Sequence, residues 1–257
     1  MDTQQQKQSR ILLVGDACID VYIFGDCNRL SPEAPVPVFL KARKKQRPGM
    51  ASNVRENLAN MTSAVIDFFS NPPEQIQKIR FVDSKSNQHI LRYDIEDSVE
   101  PLKVSNLPNK VYDAVIVSDY NKGFITPSTA EELKQKYKCQ IFVDTKKSDL
   151  SPFKGCIVKL NERESGLAYK KEGVFLIETL GSKGAKAGGT TFPVEAVSVH
   201  DVCGAGDVFL AALVAKWMEC KDIDSAIRLA NKCAALSVTK PGTYSLSRRE
   251  YENSDTD

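Results

Sequence analysis

What this sequence has little of narrows its function first. It holds only two histidines, His89 and His200, far apart and without ligand spacing, so a metal centre built on histidine or cysteine is not expected. Its seven cysteines are an odd number and none lies in a C-x-x-C pair. Cys139, Cys156 and Cys233 sit in apolar surroundings, and the pattern reads as reduced thiols used as small core residues. No stretch approaches the roughly 20 apolar residues of a membrane span, and the opening MDTQQQKQSR lacks the apolar run of a secretory leader. Reduced thiols and the lack of such a run together predict a cytoplasmic protein with no membrane partner. Neither sign of charge is in excess. Thirty-five Lys and Arg stand against 33 Asp and Glu, a net +2, which lacks the concentrated positive charge of a nucleic-acid binder. The one basic cluster, Lys41, Arg43, Lys44, Lys45 and Arg47, reads either as a solvated hairpin edge or as a rim that attracts phosphate. A P-loop is missing, and so is a Rossmann fingerprint.

What is present is ordinary globular composition: 257 residues, 42% hydrophobic and 26% charged, which excludes long disorder, collagen and coiled coil. Short apolar runs at 11–14, 114–117, 141–144, 156–160 and 174–178 fit parallel strands buried on both faces. Helical stretches are predicted at 51–60, 128–138, 162–171, 206–219 and 222–239. The alternation argues for an α/β sheet flanked by helices. VYIF at 21–24, VPVFL at 36–40, KIRFV at 78–82 and HILRYDI at 89–95 differ. Polar and apolar residues alternate there, as in strands with one exposed face, and the four are expected to form a small separate sheet. The polar ends 1–9 and 246–257 are expected to be flexible.

The sharpest local feature is DVCGAGD, Asp201 to Asp207, followed by VFLAALVAKWM, which is apolar nearly all round and reads as a buried helix. Gly204, Ala205 and Gly206 allow a tight turn that points amides outward at a helix N-terminus, which makes an anion site. Asp207 in the first turn is placed to take a proton from an alcohol as phosphate arrives. The dipole favours its ionised form, so no large upward pKa shift is expected. A glycine-bearing turn with an aspartate favoured by the dipole accounts for the same residues.

This segment resembles the DTxGAGD signature of ribokinase-like, PfkB-type carbohydrate kinases. GDACIDVYIFGDCNRLSPEAPVPVF at 15–39, RPG at 47–49, ILRYDIED at 90–97 and SDYNKG at 118–123 are similar to the heptose-7-phosphate kinase branch, which is also the first domain of bifunctional ADP-heptose synthase. The resemblance runs through most of residues 11–245. It implies a ribokinase-like α/β fold over 10–245: a mostly parallel central sheet flanked by helices, with a small β-sheet lid from about 20–42 and 77–97. It implies an ATP-dependent sugar kinase with ATP and Mg²⁺ as cofactors and a sugar phosphate, heptose 7-phosphate being favoured, as acceptor at its anomeric hydroxyl. It also suggests a homodimer clasped through the lids, against a monomer whose lid only shields the site.

Site residues follow by motif. Asp207 is the implied base, with the amides of Gly204, Ala205 and Gly206 as anion hole. Asp16, Asp20, Gly49 and Asn53 are implied sugar contacts, and Lys122 and Arg92 are candidates for the 7-phosphate or a hydroxyl. Asp16 as a local cap and Arg92 as a surface charge remain open. Asn161 and Glu164 resemble the N-x-x-E motif, where the acid holds hydrated Mg²⁺ through water. The pair also fits helix capping, and both roles can coexist. Gly181, Lys183 and Gly184 of TLGSKGA are implied beside the nucleotide phosphates, and Asn231 in the adenine pocket. Three departures stand out. Met50 sits where relatives carry a second glycine, and is expected either to crowd the sugar or to point into the core. Cys203 replaces the usual threonine, which backbone chemistry tolerates. The stretch between Asn57 and Lys78 offers only a short bridge where relatives place strand–helix units. No H-x-G-H signature follows, so the nucleotidyl-transfer activity is not expected in this chain. The shortening leaves two further readings: another sugar or nucleoside kinase of the family, or a degenerate fold that binds without turnover.

Overall fold

The computed structural model describes residues 8–256. The expectation for 1–7 lies outside the described residues. Along the chain run β1 (Arg10–Gly15), β2 (Ala17–Leu30), β3 (Pro37–Met50), α1 (Ala51–Met61), β4 (Val65–Ser70), β5 (Ile76–Asp83) and β6 (His89–Glu96). There follow β7 (Ala114–Asp119), α2 (Pro127–Lys136), β8 (Gln140–Thr145), β9 (Ile157–Asn161) and α3 (Glu162–Leu167). The chain closes with β10 (Phe175–Thr179), β11 (Ala185–Ala187), β12 (Thr190–Phe192), α4 (Ala205–Cys220), α5 (Ile223–Val238) and α6 (Arg248–Thr256).

Eight strands form the main sheet in the order β12-β11-β10-β9-β8-β7-β1-β4. It is parallel from β10 through β4, and β11 and β12 are antiparallel. Both faces are covered. Ile11 and Leu13 of β1 pack into one core with Leu58, Phe209, Leu213 and Ile227, and Leu12 and Val14 into a second with Val115, Leu133 and Phe153. That two-sided burial is why the parallel strands read as unbroken apolar runs.

A second sheet of four strands, in the order β3-β2-β5-β6, stands apart as the lid. In its register Asp20, Tyr22 and Phe24 lie opposite Arg47, Lys45 and Arg43 on one side, and Lys78, Arg80 and Val82 on the other. Side chains alternate faces along a strand, so these residues share one face. Val21, Ile23, Ile79, Phe81, Leu91 and Tyr93 share the other.

Three expectations need correction. The bridge between Asn57 and Lys78 contains a strand: β4 pairs in parallel with β1 along its whole length and closes the sheet edge. Its VIDFFS is rich in β-branched and aromatic residues, which fit a half-buried edge. Residues 248–256 are not a flexible end, and the expectation for 257 lies outside the described residues. There α6 buries Tyr251 against the first core. Ser247 and Glu250 exchange side-chain-to-amide hydrogen bonds at its start, Oε2 of Glu250 accepting from the Ser247 amide at 2.8 Å. The helix expected at 162–171 stops at Leu167, and Ala168 is already extended.

Candidate active site

The site gathers at the carboxyl ends of β1, β7, β8 and β9, where open parallel sheets place ligands. Gly204 opens α4 in the left-handed region (φ 81°). A Cβ there would lie 2.9 Å from Asn53 Nδ2 and 3.0 Å from Thr243, so only glycine combines this turn with such close neighbours. Asp207 follows in the first turn of α4, 3% exposed. Its Oδ2 accepts from Asn53 Nδ2 at 2.9 Å and its Oδ1 from the Tyr120 hydroxyl at 2.7 Å. Burial pushes the Asp207 carboxyl up to about 6, against the lowering effect of these two donors. The helix dipole therefore does not keep it in the ordinary carboxylate range, contrary to the expectation from sequence: desolvation outweighs the dipole.

Positive charge lies directly below the anion turn. A Cβ on Gly206 would approach Lys159 Nζ to 2.7 Å. Lys159 is buried and donates to Asp144 Oδ2 at 2.7 Å. Lys146 lies 3.7 Å from Asp144 Oδ1 and pairs with Glu164. Burial alone would raise the Asp144 carboxyl, but Lys159 and Lys146 outweigh it and hold it below the usual range. Glu164 also completes a capping box with Asn161: the Glu164 amide donates to Asn161 Oδ1 at 2.8 Å, and the Asn161 amide to Glu164 Oε2 at 2.9 Å. Among the described residues no group of three His, Cys, Asp or Glu could hold a metal ion directly. Asp144 Oδ1 is buried with no hydrogen-bond partner, and Asp144 and Glu164 each face a lysine. Such a set suits an ion that keeps its waters and arrives with phosphate, which is how magnesium behaves.

Two cavities lie near the anion turn, the first lined by it and the second reaching it through Thr243. One, of about 230 Å³, is mainly apolar; Thr179, Gly181, Gly184, Ala205, Gly206 and Asn231 are among the residues lining it. Gly184 (φ 90°) can carry no side chain, since a Cβ would meet the Phe192 carbonyl oxygen at 2.1 Å. Asn231 donates to that same carbonyl at 2.9 Å. Lys183 is exposed and outside the lining. The other cavity, of about 420 Å³, lies under the lid between Tyr22, Arg43, Lys45 and Arg47 on one side and His200 and Thr243 on the other.

Residues 148–249 match the model of the pfkB family carbohydrate kinases. The bifunctional protein HldE of Campylobacter jejuni strain RM1221 is 33% identical across 96% of this chain and 65% of its own length. Residues 148–249 thus form part of a pfkB-type carbohydrate kinase domain. HldE of Hahella chejuensis is 29% identical across 95% of the chain and 63% of that relative. The chain thus spans just under two thirds of these relatives. The alignment with the Campylobacter protein runs over 299 positions against the 257 residues here, which fits an internally shortened PfkB chain. Solved structures agree on the fold. Ribokinase from Thermotoga maritima superposes with a TM-score of 0.71 at 20% identity, covering 96% of this chain and 99% of that one. Phosphofructokinase-2 from Escherichia coli, in complex with potassium, gives 0.74 at 14%, covering 97% and 98%.

Within this PfkB fold the residues singled out from sequence separate into groups. Asp207, Gly204, Ala205, Gly206 and Asn53 converge, but Asn53 holds the aspartate instead of facing open space. Its Oδ1 is also taken, by Asn57 at 3.2 Å and Ser245 at 3.4 Å. Asp16 is fully buried and accepts from the amides of Tyr120, Lys122 and Phe124, so it clamps the loop after β7 and is not open to a sugar. Asp20 binds Arg80 at 2.6 Å and Thr243 at 3.1 Å. Gly49 is needed because a Cβ would lie 2.4 Å from Asp20. Arg92, with a side chain 52% exposed, is held by Asp94, and Lys122 by Glu96. Met50 is 3% exposed in the second core, so it does not crowd the site. Its φ of 54° explains why a glycine suits that position.

Sequence reasoning missed Tyr120, Lys159, Arg80 and Thr243. Tyr120 lies inside SDYNKG, and Lys159 lies in the run 156–160 read as a buried strand. Arg80 and Thr243 meet Asp20 across 60 and 223 residues, a pairing no local pattern announces.

Proposed function

We propose that this chain is an ATP-dependent sugar kinase whose acceptor is a heptose 7-phosphate, phosphorylated at the anomeric hydroxyl to give heptose 1,7-bisphosphate for ADP-heptose synthesis. The observation that carries the reading is Asp207, held by two donors in the first turn of α4, with an apolar cavity on one side of the turn and the lid cavity on the other. Adenine suits the first, beside Asn231, and the sugar suits the second. The resemblance of residues 15–39 and 90–97 to heptose-7-phosphate kinases supports the choice of sugar, as does the likeness to HldE proteins.

Phosphoryl transfer is chiefly positioning and charge neutralisation. Asp207 takes the proton of the acceptor hydroxyl. The hydroxyl oxygen forms its bond to the terminal phosphorus as the bond to the ADP oxygen breaks. The amides around Gly204–Gly206 and the Lys159 ammonium face the charge that builds on the transferring group. Glu164 and Asp144 would hold Mg²⁺ through water, and Mg²⁺ when bound supplies further neutralisation of the ATP phosphates. Met50 is buried, so it lends no support to a fold that binds without turnover.

Coupled ADP-release assays of the purified protein with heptose 7-phosphate, fructose phosphates, ribose and nucleosides test this. Release is expected to be fastest with heptose 7-phosphate. No release with any acceptor, despite measurable ATP binding, overturns the kinase reading.

A further inference from the structure

The lid face that looks onto the site is strongly and unevenly basic. Strand register places Arg43, Lys45 and Arg47 of β3 and Lys78 and Arg80 of β5 around Asp20, Tyr22 and Phe24 of β2. Arg80 is matched by Asp20. Among the described residues no ion pair involves Arg43, Lys45 or Arg47. The remaining carboxylate of the cavity, Asp201, accepts from the amides of Cys203 and Gly242. Three like charges are therefore brought together without an anion. Burial and the neighbouring Arg47 and Arg43 all disfavour the charged form of Lys45. Arg43 is fixed in place by stacking on the Phe24 ring, 4.1 Å from its centroid.

The row has a direction. Arg47 lies opposite Asp20, Lys45 opposite Tyr22 and Arg43 opposite Phe24. Strand residues two apart stand about 7 Å from one another, so the row leads away from the anion turn. Thr243 joins the two ends, touching the Gly204 turn on one side and lining the basic cavity on the other. A ligand reaching from Asp207 into this cavity meets cations at its far end.

We propose that Arg43, Lys45 and Arg47 form an anion subsite that reads a phosphate on the end of the sugar remote from the acceptor hydroxyl. Arg92 and Lys122 do not take this role, because Asp94 and Glu96 already hold them. The subsite rests on the kinase reading above and names the residues of this chain that would meet the remote phosphate.

Calorimetric titration and ADP release with heptose 7-phosphate and with the same heptose lacking phosphate test the subsite. Arg43→Gln, Lys45→Gln and Arg47→Gln should each weaken heptose 7-phosphate binding and raise its KM about 10- to 100-fold, the worth of a charge-assisted hydrogen bond. The neutral heptose should be unaffected, and kcat nearly so. Lys44→Gln removes the same charge from the opposite lid face, beside Ile23, and should change nothing. Arg92→Gln should also leave KM unchanged. Equal losses for both sugars, equal losses in Lys44→Gln, or unchanged KM in all three row variants overturn the subsite, as does parent protein that fails to bind heptose 7-phosphate. Row-dependent binding of heptose 7-phosphate without ADP release leaves the subsite standing and defeats the kinase reading instead. Unchanged melting temperatures in the variants exclude misfolding.

Discussion

Tyr120 bridges the acid of α4 and the acid that follows β1. Its hydroxyl donates to Asp207 at 2.7 Å and its amide to Asp16 at 2.7 Å. Lys78 and Lys146 each lie 5.1 Å from its ring centroid. The loop after β7 is thus the piece that orients the proposed base. Replacing Tyr120 with Phe removes one donor that favours the ionised carboxylate. The acid limb of the rate profile is expected to move to higher pH, and kcat to fall more than sugar KM rises. A variant with the parent profile would show that Asn53 alone orients Asp207.

Asp207→Asn removes the base while keeping size. Its amide can still meet Asn53 and Tyr120, since a tyrosine hydroxyl both donates and accepts. Turnover is expected to fall about 10²- to 10⁴-fold, the usual effect of losing a general base. ATP and sugar binding measured by calorimetry should survive. Turnover near the parent rate would make Asp207 structural.

The pH dependence follows from the Asp207 carboxyl at about 6, raised by burial from 3.8. Below pH about 6 the proposed base is protonated in the free protein, so log kcat/KM should fall with unit slope. For stability the sign is opposite to that of an ion-paired aspartate. Between 3.8 and about 6 the folded chain binds more protons than the unfolded one, so this group destabilises as pH rises through that window. Above it the whole penalty is present. Asp207→Asn should therefore melt no lower than the parent at pH 7.5, and its relative gain should vanish near pH 4. Differential scanning calorimetry at the two pH values reads this directly.

Met50 inverts a familiar ranking. Truncating a buried methionine to alanine costs about 2–5 kcal/mol. Met50→Gly loses the same contacts but relieves a backbone at φ 54°, ψ −133°, which glycine adopts freely. Met50→Gly is expected to be more stable than Met50→Ala, by about 1–3 kcal/mol. Sugar KM should be unchanged in both. Denaturant titration showing alanine as the more stable variant would place the backbone strain elsewhere.

The outer lid face carries Leu91 and Tyr93, 57% and 55% exposed, beside Phe81, Ile79 and Ile23. Burying such a patch favours association. A homodimer through this face is expected by light scattering at micromolar concentration, and Leu91→Glu should return it to monomer. A parent chain that scatters as a monomer throughout rules the clasp out.

The sequence by itself determined the architecture and the chemistry at the anion turn. Apolar runs buried on both faces, alternation in the four lid strands and glycines before Asp207 are local consequences of backbone geometry, and each is legible over a few residues. The Ser247–Glu250 pair, which opens α6, is equally local, but the polar residues around it mask the signal. Only the tertiary structure decided which side chains meet. Asn53 reaches Asp207 across 154 residues and Arg80 reaches Asp20 across 60, because crossover connections bring distant strands and helices together. Burial is also a property of the assembled fold. It lifts the Asp207 carboxyl to about 6, turns Asp16 into a loop clamp and carries Met50 into the core, three outcomes that depend on what packs around a residue and not on what precedes it in the chain.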